Sequence, residues 1–518
     1  MTSVRRKITA SAPVVVIGSG LAGMSAALRI ASRRPVLLVT KHGLGEGSTS
    51  WAQGGIAAAI GPDDSVEAHA ADTIEAGAGS CTPDAVAAVC GDAPRTISAL
   101  ADLGVAFDRA HGEIALAREG AHSLPRVAHA GGDATGRHVV QALAAHVIAH
   151  DAITVLENTR VDDLLVDDAG VTGARLATGE VVGASAVVLA TGGSGHLFSR
   201  TTNPLGATAD GAALARRAGA ALADLEMVQF HPTALAVGPS PLGLISEAVR
   251  GAGGMLFDRH GDPVMAGVHP MGDLGPRDVV ARAVFRRARE TGGDVVMSLA
   301  HLDPARVHAR FPEVAALCAA QGIDLATDPV PVTPAAHYAM GGVLTDLDGR
   351  TTVPGLWAVG ECASTGLHGA NRLASNGLLE AAVLGRRAAD DVAAGGGDPM
   401  PGPRVDPLPL ATGDADGSAV RHMVGRIMWD GCGLERDADG LADAAGRLDA
   451  LPMPADAESA GLLEVARLVV AAAAAREESR GAHFRSDFPE SDPTLARRTC
   501  WAGDTPAAMP SIDLTEAA

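Results

Sequence analysis

The 518-residue chain is poor in aromatic side chains, with one Tyr, four Trp and eight Phe, and its lysines are confined to Lys7 and Lys41. Ala, Gly and Arg take their place, a bias that points to a GC-rich genome more than to any activity. The six cysteines (Cys81, Cys90, Cys318, Cys362, Cys432, Cys500) include no C-x-x-C pair. Their scatter indicates neither a disulfide framework nor a zinc or iron–sulfur centre, and no metal is expected. Excess basic charge is missing too. A formal net charge of −20 argues against nucleic acid and anionic membrane as partners. No apolar stretch is long enough to span a bilayer. Arg5, Arg6 and Lys7 followed by the apolar run from Pro13 to Ile17 look like a signal peptide, but the run is short and breaks into Gly18-Ser-Gly20. It reads as a buried first strand, and a cytoplasmic protein is expected. An anionic substrate must then be held by a local cationic pocket set against the overall field.

The length allows two or three domains. The run VVVI (14–17), a glycine turn, a helical pattern from Leu21 to Ile30 and a second apolar run from Val36 to Val39 form a βαβ unit. Further strand-like runs are Thr154 to Leu156, Val161 to Val166, Ala186 to Ala190 and Leu356 to Val359. A Pro- and Gly-rich mixed segment lies between Glu226 and His337. The stretch from Ala393 to Leu410 is a linker by composition, and helical spacing follows it, notably from Ser459 to Glu478. The expected fold is an α/β Rossmann-like nucleotide-binding domain (1–225 and 338–408) interrupted by an inserted α+β domain (226–337), then a C-terminal helical domain (409–518).

Gly18-Ser19-Gly20-Leu-Ala22-Gly23 stands between a strand and a helix, where glycines allow a tight turn and close approach of the backbone to a pyrophosphate. The acidic residue usual after the second strand is replaced by Thr40-Lys41. Ala190-Thr191-Gly192-Gly193 and Val359-Gly-Glu361 each close a strand, and the loop GLGEGSTSWAQGGIA (43–57) suits a cofactor wrap. Ser375 or Asn376 is the expected N-cap of a helix whose N-terminus would stabilise reduced flavin. These features favour FAD over NAD.

The ordered blocks STSWAQGG (48–55), DATG (133–136), FHPT (230–233), ISEAVRGAGG (245–254), PRDVVARA (276–283), HYAMGG (337–342), GECASTGLHGANRLASN (360–376) and SRGAHFRSDFP (479–489) resemble the succinate dehydrogenase / fumarate reductase flavoprotein superfamily over nearly the whole chain. Within it, the L-aspartate oxidase branch is the most similar. The resemblance implies FAD contacts from Gly18, Ser19, Gly20, Ala22 and Gly23, from Lys41, Ser48, Thr49, Gln53, Gly54 and Gly55, and from Ala190, Thr191, Gly192, Asp210 and Glu361. Ser375, Leu378 and Leu379 complete that set.

A four-carbon diacid needs two carboxylate sites. By resemblance, Arg372 and His337 clasp one carboxylate, and His231 with Ser246 and Gln229 clasps the other. Ser246 stands where the family usually has Thr. Arg277 occupies the position that donates a proton in fumarate reductases, with Glu247 as its relay, and in an oxidase it polarises and positions the substrate. His483 reads as a docking contact of the C-terminal domain. His42, His111, His138, His146, His150 and His301 read as structural.

Two features separate the branches. Membrane-complex members attach FAD to a His that is Ser48 here, so noncovalent FAD is expected. Ala117-Arg-Glu-Gly-Ala-His-Ser123 resembles the REGGHS segment of aspartate oxidases and places Glu119 at the substrate amino group. The resemblance thus implies oxidation of L-aspartate to iminoaspartate, with O2 (giving H2O2) or fumarate as acceptor, feeding quinolinate synthase in NAD biosynthesis. The rival is a soluble fumarate reductase or succinate dehydrogenase flavoprotein subunit with noncovalent FAD.

Overall fold

In the computed structural model, residues 12–510 are described; Arg5, Arg6, Lys7 and the outermost ends of the first and last expected domains lie outside the described residues. Val14–Ile17 is the central strand of a five-stranded parallel sheet ordered Leu356–Ala358, Ala186–Leu189, Val14–Ile17, Val36–Val39 and Ile153–Leu156. VVVI and AVVL are buried at every position, the pattern of strands covered on both faces. Alternation divides them between two cores. Val14 and Val16 pack with the helices Leu21–Ala31 and Asn376–Ala393, while Val15 and Ile17 face the helix Asp210–Arg217 and the C-terminal helices.

Two glycines of the first turn are required by packing. Gly18 has φ +111°, and a Cβ there would meet the Ala190 carbonyl oxygen at 2.1 Å. A Cβ on Gly23 would meet the Gly18 carbonyl oxygen at 2.0 Å. Gly20 has a freer outlook, with the Thr49 hydroxyl as its nearest contact at 3.2 Å.

Within the segment 226–337, the strands Val228–Leu235 and Val330–Ala339 pair antiparallel, and Val295–Ser298 and Met255–Phe257 extend the sheet outward. This unit has its own core around Leu256, Val280, Met297 and Val332, with the helix Arg277–Thr291 laid across the sheet.

The segment 409–518 departs from the helical expectation at its end. Helices Gly417–Cys432, Ala438–Asp449 and Ala457–Ala475 pack together, the last capped by Asp456, which accepts the Ser459 N–H at 2.9 Å. Beyond them, Cys500–Ala502 and Thr505–Ala507 form a hairpin around Gly503 (φ +60°) that pairs with Leu222–Ala223. Three-residue strands show too little alternation to register in a sequence pattern. His483 is buried where the C-terminal unit folds on itself, with Nδ1 2.7 Å from Arg436 and Nε2 3.1 Å from the Arg476 carbonyl.

Candidate active site

A cavity of about 1020 Å³ opens at the carboxyl ends of the parallel strands, touching Gly18, Thr40, Ala190 and Gly360. That is the usual ligand position in open α/β sheets, and the volume is at the upper end of the range for small-molecule sites. Its chemistry suits a dinucleotide. Ala22, Gln53, Thr191 and Leu378 line it, and Gln53 Oε1 and Thr191 Oγ1 are buried without partners. Ser48 and Glu361 also line it, and burial lifts the Glu361 carboxyl to about 7.

Ser375 is the N-cap of the helix Asn376–Ala393 by position only. It is left-handed (φ 65°), and its hydroxyl donates to Glu119 Oε2 at 2.7 Å instead of capping. Asn376 is turned inward, accepting from His69 Nε2 at 2.8 Å and donating to Thr73. The N–H groups of the first turn are therefore left without a side-chain cap beside the cavity, an anion-attracting end.

Several of the expected cofactor residues also support the walls of the cavity, and Thr49 and Lys41 line it as well. The Ser19 hydroxyl joins Thr40 (2.8 Å) and accepts the Gly45 N–H (3.0 Å), and Thr49 Oγ1 accepts the Leu21 N–H (3.1 Å). Gly23 packs under the turn. A Cβ on Gly55 would strike the Ala128 carbonyl at 2.3 Å, one on Gly54 would approach Glu119 at 3.5 Å, and Leu379 faces the protein core. Lys41 reaches the cavity wall, but its ammonium donates to Asp210 (2.6 Å), Glu458 (2.7 Å) and Thr208 (2.8 Å).

At the part of the cavity lined by His337, Tyr338 and Arg372, strands and loops gather the expected substrate residues. His231 on Val228–Leu235 and His337 on Val330–Ala339 stand with ring centroids 5.0 Å apart. Burial, followed by the Arg277 charge, pushes both well below the ordinary histidine range, so both are neutral. His231 Nδ1 accepts the Thr233 N–H at 3.2 Å, which leaves the ring proton on Nε2 as a donor. His337 Nδ1 stands 2.8 Å from the Thr202 hydroxyl. Arg372 is buried with Nε lacking a partner, its guanidinium 4.3 Å from the Tyr338 ring centroid, and burial with the Arg277 charge lowers its pKa to about 10.

Behind these lies an arginine–carboxylate cluster. Glu247 accepts from Arg277 Nε at 2.6 Å and from Arg250 Nη2 at 3.0 Å. Burial opposes charge on Glu247, but the Arg277 and Arg250 guanidiniums outweigh it and hold the carboxyl below its ordinary range. Gln229 was expected on the substrate. Its oxygen instead accepts from Arg277 (3.0 Å) while its amide donates to Asn371 and to the Arg372 carbonyl (both 2.8 Å). It ties Arg277 to the Arg372 loop. Ser246 caps the short helix Glu247–Gly251, accepting the Ala248 N–H at 3.3 Å, and keeps its own proton to donate.

Glu119 is buried. Burial opposes its charge, yet the His129 ring, the Ser375 hydroxyl and the Arg277 charge together hold it at about 2. Its loop is anchored by the fully buried Arg126, which donates twice to Asp64 (both 2.9 Å) and also to Asp72. Sequence reading missed Thr202, Tyr338, Arg250 and His129. Tyr338 lies inside a recognised block, whereas a lone His129 carries no local signal.

Comparison with known proteins identifies the family. The FAD binding domain family matches residues 13–378, and the fumarate reductase flavoprotein C-terminal family matches residues 455–517. An L-aspartate oxidase of Streptomyces coelicolor is 47% identical over 96% of this chain and 93% of its own length. The chain belongs to the L-aspartate oxidase family. A second L-aspartate oxidase, from Mycobacterium tuberculosis, is 45% identical over 94% of each chain. Among solved structures, an E. coli quinol fumarate reductase mutant superposes with TM-score 0.84 at 30% identity over 94% of each chain. A quinol–fumarate reductase with menaquinol molecules gives 0.84 at 31% over 96% of this chain and 97% of its own. The L-aspartate oxidase family membership makes this an FAD enzyme, consistent with the cavity, its unpartnered polar atoms and its uncapped helix end. No helix among the described residues is long and apolar enough to cross a membrane.

Proposed function

We propose that the protein oxidises L-aspartate to iminoaspartate, using noncovalent FAD and passing electrons to O2, with H2O2 formed, or to fumarate. The observation that carries this is the buried Arg372 guanidinium with an unpartnered Nε, set beside two neutral imidazoles and in the same cluster as an ionised Glu119. A buried cation costs free energy unless an anion meets it, and a substrate carboxylate is that anion. Bound FAD supplies the acceptor for two electrons from Cα.

The chain's own residues do the rest. Arg372 and His337 hold one carboxylate, and His231 Nε2–H with the Ser246 hydroxyl donates to the other. Glu119 faces the ammonium, which selects aspartate over succinate. Glu247 is engaged by two arginines and serves to fix Arg277, which in turn polarises the bound diacid. Gln229 positions both arginines. Ser48 lacks the ring nitrogen that a histidyl–flavin bond needs.

The segment 226–337, with its separate core, acts in this reading as a cap over the site, inserted between 1–225 and 338–408, with 409–518 as the third domain. Because an imine hydrolyses readily in water, prompt use of the product by quinolinate synthase in the cytoplasm fits the chemistry and a place in NAD biosynthesis. Arg372→Ala should lower kcat/KM for aspartate about 100-fold or more, the loss expected when one partner of a desolvated charge pair is removed. His337→Ala should lower it about 10- to 100-fold, the loss of a hydrogen bond from a neutral imidazole to a charged carboxylate. Unchanged turnover in both variants would sink the assignment.

A further inference from the structure

Glu119 presents a difficulty for amine oxidation. The substrate arrives as an ammonium, and its nitrogen must shed a proton before its lone pair can drive hydride from Cα. A carboxyl held at about 2 pairs with that ammonium but does not retain the proton at neutral pH. Glu247 is no substitute, since both of its oxygens are bound by arginine.

Two histidines stand near Glu119: His122, whose Nε2 donates to the Ala374 carbonyl at 3.0 Å and whose Nδ1 lies 3.2 Å from Arg126, and His129. His129 Nε2 lies 3.5 Å from Glu119 Oε1, at the edge of hydrogen-bond reach, and neither buried atom has any other partner. The other Glu119 oxygen is bound by Ser375, so Oε1 is the free one. While its Nε2 is buried, 13% of the His129 side chain remains exposed. The imidazole therefore bridges an interior carboxylate and water, and its two ring nitrogens let it accept a proton at one and release one at the other.

We infer that His129, acting through Glu119, carries the substrate's ammonium proton to solvent. The inference rests on the aspartate-oxidising reading of the site. The proton leaves nitrogen, whose electron pair remains behind. Glu119 Oε1 takes the proton transiently and passes it to His129 Nε2, and the imidazolium releases its Nδ1 proton to water. Glu119 ends the sequence ionised as it began, and no electrons move between the two residues. His129 is left as the Nε2–H tautomer and regains the starting one by rotation of the ring and exchange with water before the next turnover. His129 is thus a positioning and relay residue that does not touch substrate.

Glu119 is the charged group in contact with the His129 ring, and Asp108 and His138 bond or pack against the backbone around it. Glu119 lies ahead, with the Arg277 charge behind it. Asp108 donates its backbone N–H to the His129 carbonyl at 2.8 Å, and its carboxylate accepts the Gly131 and Gly132 N–H groups at 2.9 Å each. His138 sits against Gly131, where a Cβ would meet its Nε2 at 2.3 Å. His129 is the member of this set that adjoins the free oxygen of Glu119.

The test uses FAD-loaded wild type, His129→Ala and His129→Gln. Both variants should lose about 100-fold in aspartate kcat, the lower end of general acid–base contributions. Their affinity for fumarate, a diacid without an amine, should stay within twofold of wild type, which also reports an intact fold. Added imidazole should restore turnover of His129→Ala in proportion to its free-base concentration and have no effect on His129→Gln. Unchanged kcat, or a loss that imidazole fails to restore while fumarate affinity falls in parallel, overturns the relay. If wild type itself does not oxidise aspartate, the functional reading fails first, and the two failures are distinguishable.

Discussion

The Arg372 guanidinium lies over the face of Tyr338, 4.3 Å from the ring centroid. The ring stabilises the cation through its π face without occupying N–H donors, which stay available for a planar carboxylate. Tyr338 is itself fixed from behind, its hydroxyl donating to Glu380 at 3.1 Å and standing 3.2 Å from His368. Gly377 makes the stacking possible, because a Cβ there would press Tyr338 at 3.0 Å and Arg372 at 3.1 Å.

Tyr338→Leu should therefore raise KM for aspartate about 5- to 30-fold, the equivalent of a desolvated cation–π contact of about 1–2 kcal/mol. Tyr338→Phe keeps the ring and should change KM less than threefold. Steady-state kinetics on the two variants checks this, and equal effects from Leu and Phe would show that the ring face is not what holds Arg372.

Glu119→Gln removes the anion opposite the ammonium. A hydrogen bond to a charged group contributes about 1.5–3 kcal/mol, so kcat/KM for aspartate should fall about 10- to 100-fold while fumarate binding is kept or tightened. A matching loss of fumarate binding would mean that the carboxylate serves the fold and not selectivity.

The same residue has a signature in stability. With its carboxyl at about 2 in the folded chain, against about 4.3 for an unperturbed glutamate, Glu119 contributes stability that is present above the unfolded value. That contribution is lost as pH falls from about 4.5 toward 2. Urea midpoints measured from pH 6 to pH 3 should drop more steeply for wild type than for Glu119→Gln, and parallel slopes would remove the ionised carboxylate from the account.

Ser48 predicts extractable cofactor. Acid precipitation of the FAD-loaded protein should leave essentially all flavin absorbance in the supernatant. Flavin retained on the washed pellet would mean a covalent link made elsewhere in the chain.

Legibility in the sequence followed the range of the contacts. The glycine turn, the parallel strands and Arg372 were readable because local pattern or contiguous motif carries them. Arg277 and Gln229 are 48 residues apart, and motif matching brought them to the site without revealing that one holds the other. Lys41 and Glu458 are 417 residues apart. Only folding shows that the ammonium following the second strand is neutralised by a carboxylate of the C-terminal helices. Glycine roles were read too uniformly, since Gly18 and Gly23 answer to backbone packing and Gly20 faces the ligand side. His129 could not be found from spacing, because its meaning depends on one buried nitrogen meeting one unpartnered oxygen.

The most direct test is anaerobic mixing of the FAD-loaded protein with L-aspartate and, separately, with succinate, followed by flavin absorbance. The account predicts bleaching by L-aspartate and not by succinate, with absorbance restored by air as hydrogen peroxide forms. Bleaching by succinate alone would contradict it and assign the site to succinate–fumarate chemistry.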